Sequence, residues 1–327
     1  LACAVFVAGG GAFARAIAAA VGRKESALAT SLFWALSAAP MLTGIVTTKL
    51  EIAITGLVLL AAAGLISSPN RIWPGFICAL ITSWKFQPLP IVLLWCVMLF
   101  RIRETRGFFV GLVLGAVIAL VLPFFVLPWP YLFHEQHVWL TTLREFSNRS
   151  YLDFENIFAF FRHALGLPPG PLAMRALCLL GALAAAFVVW GWMGGAKKPL
   201  SKPELISRAT LLSAGLGSAY AVAFSPLGQN NALILCAPLL FWISCTLFLG
   251  IKDLWERAVL SVCLAVILAV PYSDLVPLDL RDRLHAISFK QMVLLGVACG
   301  LAWTWTRRDR AWRAGAKGTV SSRRFTL

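Results

Sequence analysis

The sequence predicts an all-α fold, a bundle of helices crossing a membrane many times, and three observations predict it. Of 327 residues, 60% are hydrophobic and only 13% charged, where soluble domains average roughly half and a quarter. The apolar residues gather into long runs, and a helix needs about 20 such residues to cross a ~30 Å hydrocarbon core. The basic residues, which set a formal net charge of +15, lie in short clusters between those runs, the pattern of cytoplasmic loops. A soluble enzyme, a nucleic-acid module and a disordered chain are thereby excluded. All eight cysteines fall inside apolar runs without a CxxC spacing. They read as small apolar side chains and form neither a disulfide frame nor a zinc site.

Eleven apolar segments follow in order, at about 1–21, 28–46, 50–66, 73–84, 88–100, 107–127, 171–193, 206–224, 231–250, 258–272 and 288–306. The first begins at a leucine already inside an apolar stretch, so the chain reads as the later part of a longer protein. As one helix, 28–66 would be about 58 Å long, twice the hydrocarbon thickness. It therefore turns at Thr47-Thr48-Lys49-Leu50-Glu51. The stretch 73–100 is read as a second hairpin, because Lys85-Phe86-Gln87-Pro88-Leu89-Pro90 sets two prolines in its middle and proline breaks a helix. With both hairpins, Arg23-Lys24, Arg71, Arg101–Arg106, Lys197–Lys202, Lys252–Arg257 and the tail Arg307–Arg324 share one side. A single crossing at 73–100 would split them, against the positive-inside rule.

The opposite side receives 47–51, 85–90, a long segment 128–170, 225–230 and 273–287, and with them all four histidines, His134, His137, His163 and His285. A loop of that length is usually functional or disordered. The spacing of Phe154, Ile157, Phe158, Phe161 and Leu165 predicts an amphipathic surface helix there. The organisation expected is a transmembrane domain over 1–306, carrying the extracytoplasmic segment 128–170, and a basic cytoplasmic tail over 307–327. Trp303, Trp305 and Trp312 are expected to mark the membrane interface beside the tail arginines.

Lys85 is the leading chemical candidate. The helix before it spans about 12 residues, or roughly 18 Å, well short of the hydrocarbon thickness. Lys85 and Gln87 are thus expected below the outer surface, where a lysine needs water, an anion or a carboxylate. A recessed cation there suits a lipid-linked phosphate; the plainer alternative is a snorkelling lysine paired with Glu51. Lys49 and Glu51 occupy the first hairpin turn, and Lys49 joins Lys85 and Gln87 as a phosphate-binding candidate. Glu51, Asp153 and Glu155 are the candidate catalytic carboxylates, although acids and Asn156 ahead of a helix also read as simple capping. The histidines of His134-Glu135-Gln136-His137 are three apart, which is not the HExxH spacing of a zinc site, and no metal-ligating residue is assigned. His134, Asn156, Gln229, Asn230 and Asn231 are candidates for sugar or acceptor binding. The last three form a run of carboxamides after Ser225-Pro226 at the start of a membrane helix.

Taken together, Trp84-Lys85-Phe86-Gln87-Pro88-Leu89, the element Asn156-Ile157-Phe158-Ala159-Phe160-Phe161-Arg162 and the Ser225-Pro226 turn resemble glycosyltransferase family 87. That group holds polyprenyl-phosphate-mannose-dependent mannosyltransferases of the C-type membrane glycosyltransferase superfamily. The family's Lys-Pro-Gln-Pro stands here as Lys85-Phe86-Gln87-Pro88, and its Asn-Gln-Ser-Leu as Asn156-Ile157-Phe158-Ala159. Its histidine shortly after Ser-Pro is replaced by Gln229, Asn230 and Asn231. The resemblance implies a membrane hexosyltransferase that uses a polyprenyl-phosphate-sugar donor and a lipid or glycan acceptor on the extracytoplasmic face of the cell (inner) membrane. It puts a general-base aspartate upstream of Leu1. No cofactor is expected, a divalent metal being left open, and the composition has already excluded a nucleic-acid partner. The alternatives are a membrane transporter or lipid flippase, and a truncated non-catalytic family member.

Overall fold

The computed structural model describes residues 1–21, 29–38, 49–135, 137–138, 141, 156–167, 170–195, 202–224, 234–250, 254–269 and 276–315. Every regular element among them is helical. In chain order they are α1 (Ala2–Val21), α2 (Ala29–Ala38), α3 (Lys49–Ser67), α4 (Ile72–Trp84), α5 (Leu89–Ile102), α6 (Arg106–Val126) and α7 (129–135), followed by α8 (Ile157–Leu165), α9 (Pro171–Gly195), α10 (Lys202–Ala223), α11 (Ala237–Gly250), α12 (Leu254–Ala269), α13 (Leu278–Ala286) and α14 (Phe289–Gly315). Within α1, α3, α6 and α9 lie stretches long and apolar enough to cross a membrane, and the bent pair α13–α14 makes a fifth. The predicted all-α membrane bundle is what the chain forms.

The break between α4 and α5 falls where the prolines require it. Lys85 leaves α4 in an extended conformation (φ −156°, ψ 129°), and Pro88 caps α5 with Pro90 in its first turn. The two helices form a true hairpin. Arg71, ahead of α4, is ion-paired with Glu104, which follows α5, so the chain has returned to the level from which it set out. Next, α6 runs alongside α4 in the same direction, with Gly107, Gly111 and Gly115 against the backbone of Asn70, Ile72 and Phe76 in turn. Small residues permit this close approach in a membrane, where packing drives helices together in place of water exclusion.

One polar-rich helix forms the centre. α10 packs against α1, α3, α5, α9, α11 and α14, and nearly all of it beyond its first turn is buried. Two of its hydroxyls are satisfied within the helix, Ser207 donating to the Pro203 carbonyl at 2.8 Å and Ser218 to the Ala214 carbonyl at 2.6 Å, while Thr210 donates to the Met98 sulfur on α5 at 3.7 Å. Its glycines admit large neighbours, with the Trp242 ring on Gly215 and the Ile91 backbone on Gly217. An aromatic cluster of Phe13, Phe33 and Phe241, with centroids 4.8 and 5.0 Å apart, ties α1 and α2 to α11. In contrast, only 17% of the α6 span and 11% of the α9 span are buried, which marks them as lipid-facing.

Contacts at the helix ends fix two opposite faces. Lys202 at the start of α10 pairs with Glu104, and Arg101 stacks on Trp190 near the end of α9, 4.8 Å from the ring centroid. At the other end, the Tyr220 hydroxyl donates to the Cys178 carbonyl at 2.9 Å, so α9 and α10 are antiparallel. Trp305 lies 5.9 Å from Trp192, which brings α14 back toward the face of Arg71, Arg101 and Lys202. Trp305 also meets Trp242 edge-on at 5.5 Å. It therefore packs against the bundle, while Trp303 is 54% exposed. α14 reaches Gly315, so helix continues into the segment read from sequence as a tail.

Candidate functional site

Glu51 lies in the first turn of α3 and Lys85 at the end of α4, and the structure joins them in an ion pair. The site lies at the end of α4 remote from Arg71. Thirteen residues of helix place it about 20 Å from that basic level, short of a ~30 Å hydrocarbon core. The Glu51 side chain is 6% exposed and that of Lys85 30%, so the pair has a sealed carboxylate and an open cation. Burial explains the pairing, because an uncompensated carboxylate costs several kcal/mol at such a place. The Thr55 hydroxyl, one turn on, donates to the Glu51 carbonyl at 2.7 Å. The partner that sequence offered as the plainer alternative for Lys85 is thus the one the structure supplies. The exposure of the cation still leaves it reachable from outside the bundle.

Gln87 completes this corner. Its Oε1 is shut off from solvent and has no hydrogen-bond partner among the described residues, where most buried polar groups find one. Trp84 and Phe86 flank the turn and are 56% and 54% exposed. Lys49 opens α3 two residues before Glu51.

Asn156 has a plain structural task. It is fully buried, and its Oδ1 accepts from the backbone N–H groups of Phe158 and Ala159, both at 3.0 Å, at the N-terminus of α8. This is the N-cap arrangement that satisfies otherwise orphaned donors. The predicted amphipathic helix is present as α8, with Phe158 and Ala159 buried and contacts to α13 and α14. His134 and Glu135 are exposed on α7, and His137 is exposed just beyond it, the arrangement of a solvated helix. Asp153, Glu155, Gln229, Asn230 and Asn231 lie outside the described residues.

Sequence reasoning missed a buried lysine, Lys290. α13 and α14 are bent by 52° at Ile287–Ser288, Ser288 holds a left-handed backbone (φ 53°), and Ser288, Lys290 and Gln291 are all buried. α14 reaches the basic face at Trp305, so its first turn lies at the other end, the end that also carries Lys85. The signal was a lysine and a carboxamide opening an otherwise apolar run, Ser288-Phe289-Lys290-Gln291, but no proline marks that break. Among the described residues, no three His, Cys, Asp or Glu side chains cluster as a metal site would require.

A recessed ammonium held by a buried carboxylate, beside a carboxamide whose oxygen has no partner among the described residues, can bind an anion and orient a hydroxyl-rich group next to it. No curated protein and no solved structure matches this chain. Residues 1–226, which carry α1 to α10 and both hairpin turns, match the family described as glycosyltransferase family 87. The chain belongs to glycosyltransferase family 87.

Proposed function

We propose that this membrane glycosyltransferase moves a mannose-like hexose from a polyprenyl-phosphate carrier to a lipid or glycan acceptor on the extracytoplasmic face. The C-terminus then lies in the cytoplasm of a cell (inner) membrane. The observation that carries the reading is the Lys85–Glu51 pair at a proline-broken hairpin, on the face away from Arg71, Arg101 and Lys202. The positive-inside rule makes the basic face cytoplasmic.

In the transfer, an acceptor hydroxyl oxygen bonds to the anomeric carbon. The bond from that carbon to the phosphate oxygen breaks, and charge grows on the departing polyprenyl phosphate. A fixed cation at that oxygen stabilises the transition state more than the ground state, and Lys85 takes this role. Glu51 is assigned to positioning, since a carboxylate already holding an ammonium is a poor proton acceptor. The base that takes the acceptor proton is then Asp153, Glu155 or the upstream aspartate that the family resemblance implies. Lys49 adds positive charge beside the phosphate. Gln87 offers its carboxamide to a sugar hydroxyl, and Gln229, Asn230, Asn231 and His134 are assigned as sugar or acceptor contacts, with Asn156 as the cap that holds α8.

The test is to incubate membranes carrying the protein with radiolabelled polyprenyl-phosphate-mannose and an acceptor-lipid extract. Covalent transfer is expected, and Lys85→Ala should lower it about 10²–10³-fold, the usual effect of removing one transition-state donor. Transfer unchanged by that substitution overturns the role given to Lys85. A second reading, transport, is favoured by the second broken helix at Ser288, because paired discontinuous helices are a transporter trait. Label accumulating inside sealed vesicles without covalent transfer would establish that reading instead.

A further inference from the structure

We infer that the basic face carries a second, separate site that takes the phosphate headgroup of an anionic phospholipid. Arg101, Ile102, Met193, Gly194, Lys202, Leu205 and Ile206 line a cavity of about 390 Å³ between the ends of α5 and α9 and the start of α10. Its composition is that of a place for an amphiphile, with two cations at the rim above apolar side chains. Three observations point to lipid as the occupant. First, the local charge is unbalanced: Glu104 holds Arg71 and Lys202 and Glu204 pairs with Arg208, while the segment Arg101–Arg106 adds three arginines to that one glutamate. Secondly, Arg101 is laid across the ring of Trp190, and Phe100 stacks on the same ring at 6.3 Å. This holds the guanidinium at the cavity mouth. Thirdly, the adjoining surface is apolar and outward-facing, with Phe100 65% and Phe187 76% exposed, so acyl chains have a surface to follow away from the headgroup.

Gly194 makes the room. A side chain there would press on the Arg101 guanidinium, with a Cβ only 3.0 Å from Nη2. Basic pockets between membrane helices on the cytoplasmic side are suited to anionic headgroups, and each cation near the surface contributes a factor of about five in affinity. This site stands on contacts at the opposite end of the bundle from Lys85 and does not depend on the proposed sugar transfer.

The test is native mass spectrometry of the intact protein purified in mild detergent, titrated with phosphatidylglycerol or phosphatidylcholine. A saturable phosphatidylglycerol adduct is expected, with phosphatidylcholine bound far more weakly. Arg101→Gln and Lys202→Gln should each weaken that adduct about five-fold. Gly194→Leu should weaken it comparably with every charge retained, a result that a diffuse basic surface would not give. Each variant is read alongside its thermal unfolding curve, so loss of the fold is separated from loss of the site. Equal binding of the two lipids, or adducts unchanged in all three variants, overturns the inference. Displacement of phosphatidylglycerol by millimolar inorganic phosphate would also overturn it, in favour of a site for soluble phosphate.

Discussion

Lys85 and Glu51 stand 34 positions apart in the chain yet form one unit, and their unequal exposure sets different consequences for losing each. Lys85→Ala leaves a buried carboxylate uncompensated and should cost roughly 3 kcal/mol, the low end for a buried pair because the lysine is 30% exposed. Adding Glu51→Gln removes the stranded charge and should recover much of the melting temperature in detergent, while sugar transfer stays lost. Recovery of both would mean that the pair serves the fold alone. Asn156→Ala should lower stability by about 1 kcal/mol through loss of the cap, and Asn156→Ser, which keeps a capping oxygen, should not; thermal unfolding reads both. Lys85 and Gln87 were legible in the sequence because Pro88 and Pro90 announce a break beside them. Lys290 was not, because a lysine at the start of an apolar run looks like an ordinary helix end until the 52° bend is seen.

Helices were legible wherever lipid or one clear apolar face imposed a pattern. The runs 107–127 and 171–193 became α6 and α9 almost unchanged, since lipid-facing helices are apolar all round. α8 was found from the spacing of its aromatics. α13 was not: Leu278–Ala286 carries two Asp, two Arg and a His with no buried residue, so no apolar stripe reveals it. α10 was expected as a membrane span, but its serines, threonine and glycines face inward, a property invisible until its neighbours are known. Close approach also belongs to this scale. A side chain at Gly56 would meet the Phe6 backbone at 2.6 Å, so Gly56→Leu should separate α1 from α3 and lower stability by at least about 1–3 kcal/mol. An unaltered melting curve would show that this contact is not tight.

For the molecule as a whole, charge organises orientation and hydrophobicity supplies the bundle. That Arg71, Arg101 and Lys202 share one side was predicted by counting crossings and charges, and two of them, Arg71 and Lys202, meet on Glu104. The ion pairs among them show why it works: they draw the ends of α3, α5 and α10 to one level. The same arithmetic sends Lys85 to the far level, on which the proposed chemistry depends. The most direct test introduces Phe86→Cys and, separately, Ser68→Cys into a cysteine-free protein in right-side-out vesicles, then applies a membrane-impermeant maleimide from outside. Labelling is expected at position 86 in intact vesicles and at position 68 only after lysis. Labelling of both positions from the same side, or of position 86 only after lysis, would contradict that placement of Lys85.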